Sequence, residues 1–319
     1  MKRILLSLPR GFCAGVERAI ETVEKALQIW GGPIYVKHEI VHNRHVVDAL
    51  KAKGAIFIEN LDDVPVGARL IYSAHGVSPA VRDHAKERQL IEIDATCGLV
   101  TRVHSAVKRH ASQGYQIILI GHRNHVETIG TAGEAPEVTT IVESVEDVDQ
   151  LCFSPEDKLF YITQTTLSLD DVKDITQALM TKYPQIITLP SSSICYATTN
   201  RQMALMEITD QTDLVLVVGD PQSSNSNRLR EVATKRGVAS YLINDQNEID
   251  PKWLDGANVI GLTAGASTPE AIVQKCIQRL KELGVTEVEN VVYTQEDVVF
   301  QLPKPIVNAV LGMASVSKV

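Results

Sequence analysis

Three cysteines occupy the same place in three successive stretches of this 319-residue chain, and that repeat constrains the fold more than any other feature. Cys13, Cys97 and Cys195 each stand between a loop and a helix-like run, in GFCAGVERAI, ATCGLVTRVH and ICYATTNRQM. An arginine follows five residues on in the first two (Arg18, Arg102) and six on in the third (Arg201). A strand-like run and a polar cluster come next at nearly constant distance. His42 is 29 residues after Cys13, His125 is 28 after Cys97, and Ser224 is 29 after Cys195. A second strand-like run in each stretch ends in another polar turn: SAHGVS with His75, TQTTLS with Thr165 and Thr166, TAGAST with Ser267. Three diverged copies of one unit are the simplest account.

The unit is α/β. Short β-rich runs at 4–8, 34–37, 69–73, 117–121, 158–163, 214–219, 239–243 and 258–263 alternate with amphipathic stretches. Val16, Ile20, Val23, Leu27 and Trp30 share one helical face, and 79–88, 169–183 and 269–283 behave similarly. Such alternation predicts mainly parallel sheets with crossover helices. The expected architecture is three α/β units around a pseudo-threefold axis. Their limits are read at 14–96, 97–193 and 194–283, with an N-terminal strand and loop (1–13) and C-terminal strands and tail (284–319).

Composition removes several classes of function. With 31 Lys plus Arg against 39 Asp plus Glu, the net charge is −8 and basic residues form no cluster, which argues against nucleic-acid or lipid-surface binding. The longest apolar runs are strand-sized, far below the roughly 20 residues of a membrane span. Residues 2–8 read as a strand rather than a targeting segment, so a soluble, cytoplasmic protein is expected. Five cysteines, an odd number without C-x-x-C spacing, argue against a disulfide framework. Cys152 and Cys276 lie outside the repeat and are expected to be ordinary buried thiols.

In open α/β sheets ligands bind beyond the carboxyl ends of the strands, near helix N-termini. Three units around one axis would aim Cys13, Cys97 and Cys195 at one centre, where a helix N-terminus favours the thiolate. Three thiolates suit zinc or an iron–sulfur cluster. An ordinary [4Fe–4S] cluster takes four cysteines, so three imply one open iron and chemistry at that iron. The polar turns resemble an anion site. His42, His75 and His125 can donate N–H groups, Ser223, Ser224 and Asn225 open a helix, and Ser267 sits in a Gly-rich turn. Neutral donors with few lysines suit a small diphosphate. Glu127, which would repel phosphate, needs another task such as delivering protons, with Thr165 and Thr166 as relay or helix cap. His38 and His122 are expected only in support. His45, His84, His104 and His110 are read as structural.

These residues fall in PRGFCAGVERAI, HEIVHNRHVV, YSAHGVS, DATCGLVTRVH, TQTTLS, CYATTNRQ, SSNSNRL and TAGAS. In that order they resemble the 4-hydroxy-3-methylbut-2-enyl diphosphate reductase family, over about residues 2–303. Gly98, Val126 and Leu8 depart from the commonest family pattern. The resemblance implies a three-domain α/β fold around an iron–sulfur cluster held by Cys13, Cys97 and Cys195. It implies a diphosphate site of His42, His75, His125, Ser223, Ser224, Asn225 and Ser267. Glu127 would be the proton donor and Thr165 would lie near the substrate hydroxyl. The implied reaction removes an allylic hydroxyl as water and yields isopentenyl and dimethylallyl diphosphates. A ferredoxin or flavodoxin would supply electrons, since no dinucleotide fingerprint is present. Two other readings stay open on sequence alone: a non-enzymatic iron–sulfur redox sensor that binds a phosphorylated metabolite, and, more weakly, a zinc hydrolase.

Overall fold

The computed structural model describes residues 2–316. The chain begins with β1 (Lys2–Leu8) and α1 (Ala14–Trp30), then β2 (Ile34–Lys37), α2 (Arg44–Ala52), β3 (Ala55–Ile58), β4 (Arg69–Tyr72), α3 (Pro79–Glu87) and β5 (Ile91–Asp94). It continues with α4 (Gly98–Ser112), β6 (Gln116–Ile120), α5 (Val126–Ala132), β7 (Thr139–Val142), α6 (Val145–Gln150), β8 (Leu159–Thr163) and α7 (Leu169–Lys182). The last part holds α8 (Tyr196–Thr209), β9 (Leu214–Val218), α9 (Ser224–Lys235), β10 (Ala239–Ile243), β11 (Val259–Ala264), α10 (Glu270–Glu282), β12 (Val285–Val292) and α11 (Lys304–Val316).

The strands form three sheets of orders β3-β2-β4-β5, β7-β6-β8 and β10-β9-β11-β1-β12. Every pairing is parallel. The fold is therefore three α/β units, each with its own parallel sheet. Helices cover both faces, as a parallel sheet with apolar side chains on both sides requires. On the largest sheet, Ile4, Leu216 and Leu262 pack towards Val273 and Ile277 of α10. Leu5, Val215 and Val217 pack on the other face towards Leu205 of α8 and Leu229 of α9. Alternate residues thus serve alternate cores. Ile34, Val36 and Ile71 pack against Val16, Ala19 and Val23 of α1. Ile117, Leu119 and Ile162 pack against Val103 and Val107 of α4.

The connections between units bring the three sheets to a common centre. The strand β1 lies in the third unit's sheet, yet α1, the next element, packs on the first. The strand β5 belongs to the first sheet and α4 packs on the second. Ile187 makes a parallel bridge to Phe160 of β8, and α8 then packs on the third sheet. One repeat cysteine stands at each of these three crossovers, as the residue capping the next helix.

Four strands exceed the eight runs read as strand-like: β3, β5, β7 and β12, the last within the stretch expected to hold C-terminal strands. All four are sheet edges. These four carry mixed burial, so their apolar signal is weak. The tail contains α11, whose Ile306 is fully buried against the α1 core. No helix among the described residues is long and apolar enough to cross a membrane. Core position predicts mutational cost. Ile4, fully buried in a central strand, should lose about 2–5 kcal/mol on change to alanine. Ile56, 41% exposed on an edge strand, should change by about 0.5 kcal/mol or less. Denaturant unfolding of both variants checks this, and equal losses would contradict the core assignment.

Candidate active site

Each expected site residue follows the carboxyl end of a strand or begins a helix. Cys13 follows β1, His42 follows β2, His75 follows β4 and Cys97 follows β5. His125 and Glu127 follow β6, Thr165 follows β8, Ser223–Asn225 follow β9, and Ser267 follows β11. Cys195 opens α8. The structure brings all twelve around one cavity of about 100 Å³. No lysine or arginine is among its lining residues.

At the thiols the close approach is explicit. A Cβ added to Gly15 would stand 2.6 Å from Cys97 Sγ and 3.9 Å from Cys13 Sγ, so only glycine leaves that space to sulfur. Burial pushes the Cys97 thiol up to about 11, with the facing Cys13 thiol adding to it. Burial likewise pushes Cys195 up to about 12, again with Cys13 adding. This corrects the expectation that helix N-termini would make these groups thiolates. Backbone N–H groups of Leu99, Val100 and Thr198 do favour the charged sulfurs, but desolvation outweighs them. A metal must therefore displace protons to bind. Three soft sulfur donors on three crossovers, with a glycine-made gap beside two of them, fit an iron–sulfur group.

Thr198 is a site residue that sequence reasoning misses. Its N–H donates to Cys195 Sγ at 3.3 Å, and its hydroxyl lies 3.1 Å from the same sulfur and 3.5 Å from Asn225 Nδ2. A signal is present, since Thr198 stands three residues past a helix cap. Cys152 is exposed rather than buried, because the 151–158 segment lies outside the sheets; Cys276 is fully buried in α10.

The histidines form one cluster. His42 and His75 stack with ring centroids 4.3 Å apart, and His125 meets them at 5.5 and 6.0 Å. His38 adds contacts of 5.4 Å to His42 and 6.0 Å to His75. Its Nδ1 lies 2.7 Å from Glu59, and its backbone takes the left-handed region at φ 61°. His42 Nδ1 lies 3.2 Å from Glu39 Oε2. The N–H of Glu127 donates to His125 Nδ1 at 3.2 Å, so the neutral ring keeps its proton on Nε2 as a donor. Burial, then the like-charged His42, pushes His125 down to about 3, and burial puts His75 well below the ordinary histidine range. Of the histidines read as structural, His104 is buried with Nδ1 2.8 Å from Glu134.

Glu127 is 2% exposed, not a solvated helix-start carboxylate. Its oxygens accept from the Thr165 N–H at 2.6 Å and the Thr165 hydroxyl at 2.9 Å. Burial raises its pKa against those two bonds, which pull it down. Thr166 instead accepts from Gln164 Nε2 at 3.0 Å. The third unit touches the others here: Ser267 Oγ donates to His42 O at 2.8 Å and Ser224 Oγ to Thr166 O at 3.3 Å.

Fold and site together define a three-unit α/β protein with a centre of three thiols, clustered histidines and a buried carboxyl. Residues 4–281 match the LytB protein family. The chain belongs to that family. It is 83% identical over 307 residues to a Protochlamydia amoebophila protein named 4-hydroxy-3-methylbut-2-enyl diphosphate reductase, covering 96% of this chain and 98% of that protein. A Chlamydia pneumoniae protein of the same name is 63% identical, covering 96% and 99%. Among solved structures, the Plasmodium falciparum E-1-hydroxy-2-methyl-but-2-enyl-4-diphosphate reductase superposes with a TM-score of 0.96 at 51% identity, covering 98% of this chain and 99% of that one.

The buried neutral histidines carry a pH signature. The folded His125 value, about 3, lies below the ordinary 6.5, so between the two the unfolded chain binds more protons. Stability of the ligand-free protein should therefore fall as pH drops from 6.5 towards 3. His125→Asn should flatten that fall in thermal melts taken across the window. An unchanged slope would place the protonation cost elsewhere.

Proposed function

We propose that this chain is a reductase that removes the hydroxyl of (E)-4-hydroxy-3-methylbut-2-enyl diphosphate. Two electrons and two protons enter, the allylic C–O bond breaks, water leaves, and isopentenyl and dimethylallyl diphosphates form. The observation that supports this best is the meeting of three thiols, the anion donors and the Glu127–Thr165 pair on one cavity. Family membership and the names of its relatives agree with it.

In this reading Cys13, Cys97 and Cys195 hold a [4Fe–4S] cluster with one open iron, which supplies electrons and a Lewis-acid position when bound. The chain's own groups do the rest. His125 Nε2–H donates to the diphosphate, and His42, whose Nδ1 lies 3.2 Å from Glu39 Oε2, stands beside it as a second imidazole. His75, Ser223, Ser224, Asn225 and Ser267 complete the donors. Ser224 and Ser267 turn from the carbonyls they now bond towards phosphate oxygens. Burial raises the pKa of Glu127, which favours the form that carries a proton. Protonated Glu127 passes that proton to Thr165 Oγ1, which passes its own to the departing hydroxyl. A redox sensor would have no use for this buried pair. The electron donor in this reading is a ferredoxin or flavodoxin, and the setting is cytoplasmic.

Anaerobically prepared protein should contain iron and sulfide. Cys13→Ser, Cys97→Ser and Cys195→Ser should each lower both and abolish turnover, while Cys152→Ser and Cys276→Ser should not. Loss of iron from either of the last two, with a repeat cysteine dispensable, would reverse the ligand assignment. Glu127→Gln should slow turnover with a reduced dye by ~100-fold to ~10,000-fold. Calorimetry should find diphosphate binding unweakened in that variant. Near-normal turnover would mean another group delivers the proton.

A further inference from the structure

The repeated arginines, which the reaction leaves without a task, close a ring. Arg18, one turn into α1 after Cys13, donates to Thr96 O at 3.0 Å and Asp94 O at 3.3 Å, in the crossover that ends at Cys97. Arg102, one turn past Cys97, donates to Ser192 O at 2.5 Å and Ser191 Oγ at 3.3 Å, in the crossover that ends at Cys195. Arg201, past Cys195, donates to Gly11 O at 2.8 Å and Phe12 O at 3.2 Å, in the crossover that ends at Cys13. First reaches second, second reaches third, and third returns to first.

We propose that Arg18, Arg102 and Arg201 are positioning residues that form a cyclic brace, each setting the separation of one pair of repeat cysteines. The proposal rests on the reading of those cysteines as cluster ligands. The chemistry suits arginine. A guanidinium offers five N–H donors in a rigid plane and can tie two groups of one loop, whereas lysine offers a single mobile ammonium. The carbonyls concerned lie just before helix caps, in loops except for that of Asp94, the last residue of β5. Each arginine thus fixes the approach of a cysteine that belongs to the next crossover, not its own.

The three edges are not equally backed. The segment 293–303 adds a second tie to two of them: Arg18 Nε donates to Gln301 O at 2.6 Å, and Arg201 pairs with Glu296 at 3.1 Å. No such tie is made to Arg102, and its contacts are exposed, while Arg201 is fully buried. The Cys97–Cys195 edge therefore depends most on its arginine, and Arg102 can be changed with least risk to folding.

The experiment uses metal-free full-length chain carrying Cys152→Ser and Cys276→Ser, with one repeat cysteine also changed to serine so that a single pair remains. A short bifunctional thiol reagent then reports each edge in turn. Arg102→Gln should slow cross-linking of Cys97 to Cys195 by about three- to tenfold, the worth of one or two lost hydrogen bonds. Cross-linking of Cys13 to Cys97 should stay within about twofold, and Arg102→Lys should fall between wild type and Gln. In reconstituted protein with all cysteines present, Arg102→Gln should lose iron to a chelator faster. Equal slowing of all three edges, or none, would overturn the brace. Undiminished iron in the cysteine-to-serine variants would instead overturn the ligand reading, whatever the arginine variants do.

Discussion

Everything at the centre of this molecule depends on three crossovers at which the chain leaves one sheet and starts the helix of the next. A parallel sheet delivers its functional loops at one end, because all its strands point the same way. Three such sheets share a single centre only if the chain between them passes through it. Here each passage is marked by a cysteine at the helix cap. Cys13 and Cys97 make no side-chain cap bond, so those two positions give up some local helix stability for sulfur at the meeting point, whereas Cys195 accepts from the Thr198 N–H. The first strand lying between β11 and β12 is a consequence of the same arrangement. It closes the third unit onto the first.

Burial sets much of the electrostatics of the site. Its cavity has no lysine or arginine lining, burial disfavours the charged form of His75 and His125, and its buried thiols keep their protons. The largest cause of the imidazole and thiol states is the removal of water from groups that would otherwise be charged. A diphosphate and a metal bound there would reverse that balance, the first favouring protons on imidazole and the second expelling them from sulfur. Glu127 fits the same scheme. Desolvation raises its pKa against the two hydrogen bonds it accepts from Thr165. Fixed lysines would bind the anion more simply, but they would also hold positive charge beside the thiols in the absence of ligand.

Much of this was legible in one sequence because the repeat is local. The spacing from Cys13 to His42, Cys97 to His125 and Cys195 to Ser224 is set by a helix and a strand of nearly fixed length in each unit. Central strands such as β1, β6 and β9 announce themselves as apolar runs. The edges β3, β5 and β7 do not, since one side of each meets solvent and their residues are chosen partly for water. Glu127 could be suspected from its neighbours but not seen to be buried. That burial comes from packing beneath Thr165, 38 residues away.

Pattern alone therefore determined the α/β class, the three units and the identity of the residues brought to the centre. These follow from short-range periodicity and from where helices begin. Tertiary structure decided the protonation of Cys97, Cys195, His75 and His125, the exposure of Cys152, and the partners of Arg18, Arg102 and Arg201. Those depend on which distant segment removes water from a group, or offers it a carbonyl. The repeat showed that each cysteine has its arginine. Only the fold shows that each arginine holds the crossover of the next cysteine, because that contact crosses from one unit into another.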